Sequence, residues 1–210
     1  MNNNAFFQID DPSSLDILGF KIDPSWWSRS YEYPWALMFA QRGDVVADMG
    51  CGHWERPFKH ALVEVGCSEV IATDRHRDVL KLKNYGPLTH VRSDFENDIG
   101  AMLPARHFDV VFCISVLEDL GEWIKLLRAL EEFKRILKND GKIVLTFDVP
   151  FDTSLPTPHY PGLLLTDFLS AKCHAGLEFV GDYSEDRDNA VFNEQFNLCV
   201  YHAVLQKVAG

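Results

Sequence analysis

Residues 45–57 read VVADMGCGHWERP. A run of small and apolar side chains meets Asp48, Gly50 and Gly52 stand two apart, and His53-Trp54-Glu55 follows. A dinucleotide-binding loop of the G-x-G-x-x-G kind has its third glycine where this chain has Glu55. Pro57 suits the first turn of a helix, where a missing N–H leaves nothing unpaired. The stretch predicts a strand, a glycine turn and a helix, and leaves open which ligand such a turn receives.

Outward from this turn the alternation continues. DVVADMG (44–50) predicts a buried strand, PFKHALVEVG (57–66) a helix with Gly66 just past its end, and SEVIATD (68–74) a second strand. A helical RHRDVLKLKN (75–84) precedes a third strand, LTHVRSD (88–94). HFDVVFCISVL (107–117) is an apolar run rich in Val, Phe and Ile, a good fit to a central strand covered on both faces. In WIKLLRALEEFKRILK (123–138), Ile124, Leu127, Leu130, Phe133 and Leu137 line one face at helical spacing. Asn139-Asp140-Gly141 ends that helix, and GKIVLTFDV (141–149) is a fifth strand. The loop PFDTSLPTPHYPG (150–162) carries four prolines and leads to a helix over 163–175. LEFVGDYS and FNLCVYHAVLQKV are the last two strands, the final pair antiparallel.

Such alternation means parallel βαβ units. The expected architecture is α/β: a single doubly wound, mostly parallel seven-stranded sheet with helices on both faces and a last antiparallel strand. Within it, 1–23 reads as an irregular N-terminal segment and 24–210 as the domain. The domain divides into an aromatic helical flap (24–42), a cofactor-binding core (44–149) and a substrate loop (150–162). In the flap, Pro24 and Pro34 are each placed near a first helical turn.

Composition bounds the partners. The 210 residues are 47% hydrophobic and 24% charged, with a formal net charge of -11. That balance argues against nucleic acid and against an anionic membrane surface. The five cysteines form no CxxC pair, which suits a reducing compartment and supplies no zinc site, so no metal is expected. The N-terminus lacks the basic start and apolar run of a signal peptide, and no apolar run approaches a membrane span. A cytoplasmic protein is expected.

In an open parallel sheet, ligands bind beyond the carboxyl ends of the strands, where strand order reverses. The residues there are Asp48 to His53 after the first strand, Asp74 after the second, and Ser93, Asp94 and Phe95 after the third. Cys113, Ile114, Ser115, Glu118 and Asp119 follow the fourth, and Asp148 ends the fifth. Asp74 lies 22 residues past Gly52, the usual distance of an acid that binds a ribose hydroxyl pair. A pyrophosphate fits poorly beside Glu55, since like charges 4 Å apart repel by roughly 4 kcal/mol at an effective dielectric near 20. Asp48, Asp74 and Asp94 deepen the negative field. Such a pocket suits an adenosine with a positive centre and no phosphate.

The segments VADMGCG, IATD, RSDF, FDVVFCISVLEDL and LKNDGKIVLTFDVP, in that order, resemble the class I S-adenosylmethionine-dependent methyltransferases over about residues 44–147. The resemblance implies S-adenosyl-L-methionine as cofactor and S-adenosyl-L-homocysteine as product. It implies that Asp48 and the Gly50-Cys51-Gly52 backbone hold the methionine end, with His53 beside them. It further implies Asp74 and Arg75 at the ribose, Ser93 and Asp94 at the adenine amino group, and Phe95 lining the adenine pocket. Cys113, Ile114 and Ser115 would pass under the sulfonium. Two positions depart from the family: Trp54 stands where many members have a third glycine, and Asp119 where many have histidine.

Methyl transfer is an in-line displacement that needs a base only when the acceptor must lose a proton. Candidate bases are His159, Glu118 and Tyr160, with His53 as a further loop histidine. Trp26, Trp27, Tyr31, Tyr33 and Trp35 either pack across the sheet edge or cover the cofactor, with Arg29 or Arg42 available to an anionic group. The core uses most of the chain, so the expected acceptor is a small molecule, methylated on oxygen or nitrogen rather than carbon. Two other readings stay open: a methyltransferase-like binding or regulatory module without turnover, and an NAD(P)-dependent reductase, which Glu55 disfavours.

Overall fold

The computed structural model describes residues 2–94, 103–155 and 162–208. The strands are β1 (Ala5–Phe6), β2 (Asp16–Ile17), β3 (Phe20–Lys21), β4 (Val45–Met49), β5 (Glu69–Asp74), β6 (Leu88–Arg92), β7 (Phe108–Ile114), β8 (Leu137–Pro150), β9 (Leu177–Phe179), β10 (Phe192–Asn193) and β11 (Leu198–Lys207). The helices are α1 (Arg29–Leu37), α2 (Pro57–Val65), α3 (Trp123–Ile136) and α4 (Leu165–His174). The main sheet runs β1-β11-β8-β7-β4-β5-β6, with β9 and β10 also on β11. The β4–β8 strands pair in parallel and β11 is antiparallel to β8, from Leu198 opposite Pro150 to Leu205 opposite Ile143. The sheet is thus Rossmann-like, with nine strands where the sequence suggested seven. Strand order reverses between β4 and β7, whose carboxyl ends are Asp48-Met49 and Cys113-Ile114.

Each face of the sheet buries its own cluster. On one, Leu126, Leu130 and Phe133 of α3 and Phe168 of α4 pack with Phe147 and Tyr201. On the other, Trp35 of α1 and Phe58 and Leu62 of α2 pack with Val70, Phe112 and Val204. Helix α2 has the ends its sequence announces, Pro57 in the first turn and Gly66 in the left-handed conformation just past the last.

Four local expectations give way. The 75–84 segment makes only a short 3-10 turn over Arg77–Lys81, because Val79 alone of it is buried and His76 caps Asp78. Helix α3 stops at Ile136, and Leu137 enters β8 directly. Asn139-Asp140-Gly141 lies in the register shift between the Phe108–Leu137 and Val110–Lys142 pairings. Segment 1–23, expected irregular, pairs β1 with β11 and buries Phe6, Phe7, Ile17 and Ile22. The outer edge of β11 needs a partner, and Phe6 meets the Tyr201 ring edge-on at 5.1 Å. Finally, Pro34 lies inside α1 rather than in its first turn. It cannot donate to the Ser30 carbonyl, which instead accepts from the Ser14 amide at 2.8 Å.

Candidate functional site

The glycine turn is held from beneath by β5. Gly50 and Gly52 adopt φ of 81° and 78°, conformations that a side chain disfavours. The Gly50 and Cys51 amides both donate to the Thr73 carbonyl at 2.8 Å. Asp74 accepts from the Gly52 amide at 3.0 Å through one oxygen and from the His76 amide at 2.8 Å through the other. Its carboxylate is therefore fixed in place while each oxygen keeps a second lone pair.

Two cavities open at this end of the sheet. The first, about 300 Å³, is lined by Gly50, Gly52, His53, Asp74, Ser93 and Asp94, with Arg75 and Trp54 completing its wall. The His53 ring stacks on His76 at 4.1 Å. The second, about 340 Å³, is lined by Trp26, Trp27, Phe196, Glu118 and Asp148. Arg56, Ser115 and Asp119 line both. A narrow recess behind Gly50 is lined by Tyr33, Asp48, Arg56 and Ile114. Burial there pushes the Asp48 carboxyl up to about 6, against the opposing pull of Lys59 and Arg56.

A buried polar knot joins α1 to the strand ends. The fully buried Glu32 carboxylate accepts from Ser28 Oγ at 2.9 Å, from Ser115 Oγ at 2.5 Å, from Thr146 Oγ1 at 2.5 Å and from Arg29. Burial opposes its ionisation, yet the Arg29 charge and these hydrogen bonds outweigh burial and hold the carboxyl below its ordinary range. Arg29 also donates to Ser115 Oγ at 2.7 Å. Ser115 sits at φ 47°, its amide donating to the Thr146 carbonyl at 2.9 Å. Such a left-handed residue is strained and needs its neighbours to hold it.

The structure brings Asp48, Gly50, Gly52, His53, Asp74, Arg75, Ser93, Asp94, Ile114 and Ser115 to these spaces. Cys51 is buried and lines only the recess. Cys113 is wholly buried in β7 and lines neither cavity. Glu118 lines the second cavity. Phe95, His159 and Tyr160 lie outside the described residues. Glu55 is corrected: it faces away, exposed, and meets His60 at 2.7 Å, so it contributes no wall. Arg29 is corrected too, since its charge is already engaged by Glu32. Arg56 escaped the sequence reading. Its guanidinium lies 4.5 Å from the Trp54 ring centroid and 5.4 Å from that of Trp26, and its Nε is buried without an acceptor among the described residues. Its position just before the helix-starting Pro57 was the available signal.

Residues 47–145 match the family described as "Methyltransferase domain". Over these residues the chain carries a methyltransferase domain. This methyltransferase is similar in fold to the [4+2]-cyclase SpnF, at 14% identity and TM-score 0.68 over 88% of this chain and 84% of that one. It is similar to an S-adenosylmethionine-dependent methyltransferase from Mesorhizobium loti, at 16% identity and TM-score 0.63 over 84% and 97%. A TehB-like methyltransferase from Corynebacterium glutamicum gives 22% and 0.59 over 84% and 86%. No curated protein sequence matches the methyltransferase. Among its described residues, no helix is long and apolar enough to cross a membrane.

Proposed function

We propose that this methyltransferase acts on a small molecule, on oxygen or nitrogen, with the cofactor in the first cavity and the acceptor in the second. The observation that carries this reading is that the two cavities meet at Ser115, Arg56 and Asp119. A donor in one cavity and an acceptor in the other would face each other across those residues, and positioning of that kind supplies much of the acceleration. S-adenosylmethionine, the cofactor proposed for the first cavity, would supply a methyl group on a positively charged sulfur.

The donor set fits that cofactor. Asp74, oriented by two amides, offers acceptor lone pairs to the ribose hydroxyls, with Arg75 alongside. Ser93 and Asp94 line the same cavity and would take the adenine amino group. Asp48 in its recess accepts from the methionine ammonium, the Gly50–Gly52 turn allows close backbone approach, and the orphaned Arg56 Nε suits the methionine carboxylate. Trp26 and Trp27 of the flap, with Phe196 and Leu198, line the proposed acceptor cavity.

Melting with S-adenosylhomocysteine, NAD and NADP tests the cofactor site. At 100 times its dissociation constant the first stabilises by roughly 2.7 kcal/mol, and the nicotinamide cofactors leave the melt unchanged. Asp74→Ala removes charge-assisted hydrogen bonds each worth about 1.5–3 kcal/mol, so S-adenosylhomocysteine affinity falls at least thirtyfold. Unchanged affinity in that variant would place the ribose elsewhere. Release of S-adenosylhomocysteine across a panel of small acceptors measures turnover.

A further inference from the structure

We infer that the acceptor is an amine, held and deprotonated by Glu118 and Asp148 on the floor of the second cavity. This rests on reading that cavity as the acceptor site.

Both side chains are more than nine-tenths buried, at 4% and 9% exposure. Both line the cavity, and Glu118 Oε2 and Asp148 Oδ1 have no donor among the described residues. The other charges on these walls are differently disposed. Arg29 and Glu32 neutralise each other within the knot, Arg56 lies against two indole rings, and Asp119 is exposed where the two cavities meet. The cavity thus presents two orphaned carboxylate oxygens, and Arg56, the cation on its wall with no ion pair among the described residues, is reserved for the methionine carboxylate in the cofactor reading.

Counting donors decides among acceptor classes. A carboxylate acceptor brings no proton and adds like charge. An alcohol brings one donor and leaves one oxygen orphaned. An amine, arriving as an ammonium, brings two or three donors and a positive charge, so it satisfies both oxygens. Trp27 and Phe196 supply an apolar wall for its carbon skeleton, and an indole face tolerates a nearby cation.

The same pair provides the base. Burial and the charge of Asp148 push the Glu118 carboxyl well above its ordinary range. Burial, with Glu32 adding to it, pushes Asp148 up to about 7. Of the two coupled carboxyls, Asp148 is the one placed to take up and release a proton near neutrality. The ammonium gives one proton to the pair, and the freed nitrogen lone pair forms the new N–C bond. The methyl group's bond to sulfur breaks with its electrons left on sulfur, giving a neutral thioether. The product nitrogen carries the positive charge and, when it leaves, the pair returns its proton to solvent.

The test is calorimetric titration of the protein saturated with S-adenosylhomocysteine. The probes are benzylamine, phenethylamine, tryptamine and butylamine, each against the alcohol of the same skeleton. At least one amine should bind tenfold or more tightly than its alcohol. Asp148→Asn and Glu118→Gln should each abolish that preference while binding S-adenosylhomocysteine within twofold of the parent. No amine outbinding its alcohol overturns the inference, as does a preference that survives both substitutions. Failure of S-adenosylhomocysteine itself to bind overturns the cofactor reading and this one with it, and so is told apart from failure of the amine arm alone.

Discussion

Glu32→Gln probes the buried knot directly. The carboxylate it replaces is wholly buried and takes hydrogen bonds from Ser28, Ser115, Thr146 and Arg29. An amide has one acceptor oxygen and one donor nitrogen, so it turns an N–H toward partners that are themselves donors. The Arg29 guanidinium, 15% exposed as a side chain, loses its counter-charge. Removing one member of a buried ion pair typically costs 3–5 kcal/mol. Two features favour the lower end: the hydroxyls can rotate to accept, and Arg29 borders a cavity that admits water. A loss of about 3 kcal/mol corresponds to a fall of roughly 6–12 °C in Tm for a protein of this length. Differential scanning calorimetry at pH 7 measures it. Neutralising both partners in Arg29→Met/Glu32→Gln should cost less than the sum of the two single changes, because no uncompensated charge stays behind. A single-variant melt within about 2 °C of the parent, or strict additivity in the cycle, would refute the account of Glu32 as an ionised, fully engaged group.

Two further outcomes are expected. Gly50→Ala forces a side chain into φ 81° and sets its Cβ 2.5 Å from a Val116 methyl. Left-handed strain of about 1–2 kcal/mol and overpacking of about 1–3 kcal/mol predict a Tm lower by roughly 5–15 °C. Adding Val116→Ala should recover only the overpacking share, and full recovery would mean that backbone strain is negligible there. The Asp148 carboxyl lies at about 7, above its ordinary 3.8, through burial and the facing Glu32 and Asp119 charges, with Arg29 opposing. A carboxyl raised in this way favours the folded state below about pH 4, and that contribution is lost as pH rises through about 7. The melting advantage of Asp148→Asn over the parent should therefore grow from pH 5 to pH 8, and a pH-independent difference would show that Asp148 titrates normally.

The parts of the fold legible in the sequence are those set by local pattern. The apolar runs ending at Asp48, Asp74 and Ile114 became β4, β5 and β7, and the periodic stretch from Trp123 became α3. The acids at the strand ends were legible because topology puts those ends together. What escaped depends on contacts distant in sequence. Ala5 pairs with His202, and nothing in MNNNAFFQID announces a partner so far along the chain. From sequence Arg29 is available to an anionic group, and nothing in its three-residue spacing from Glu32 announces the buried pair that Ser115 after β7 and Thr146 of β8 complete. Counting along the motif placed a charge at Glu55 but not its direction, whereas the neighbouring Arg56 turned inward.

The knot at Glu32 also constrains the order in which the protein assembles. Its bonds to Ser115 and Thr146 close loops of 83 and 114 residues, whereas the Gly52–Asp74 bond closes one of 22. Loop closure over long separations carries an entropic cost before any contact rewards it. The glycine turn of the first cavity can therefore form from one continuous βαβ segment. The part of the second cavity built on the knot has to wait until the β7–β8 ladder exists. Local opening follows the reverse route, so the second cavity should open while the glycine turn still holds.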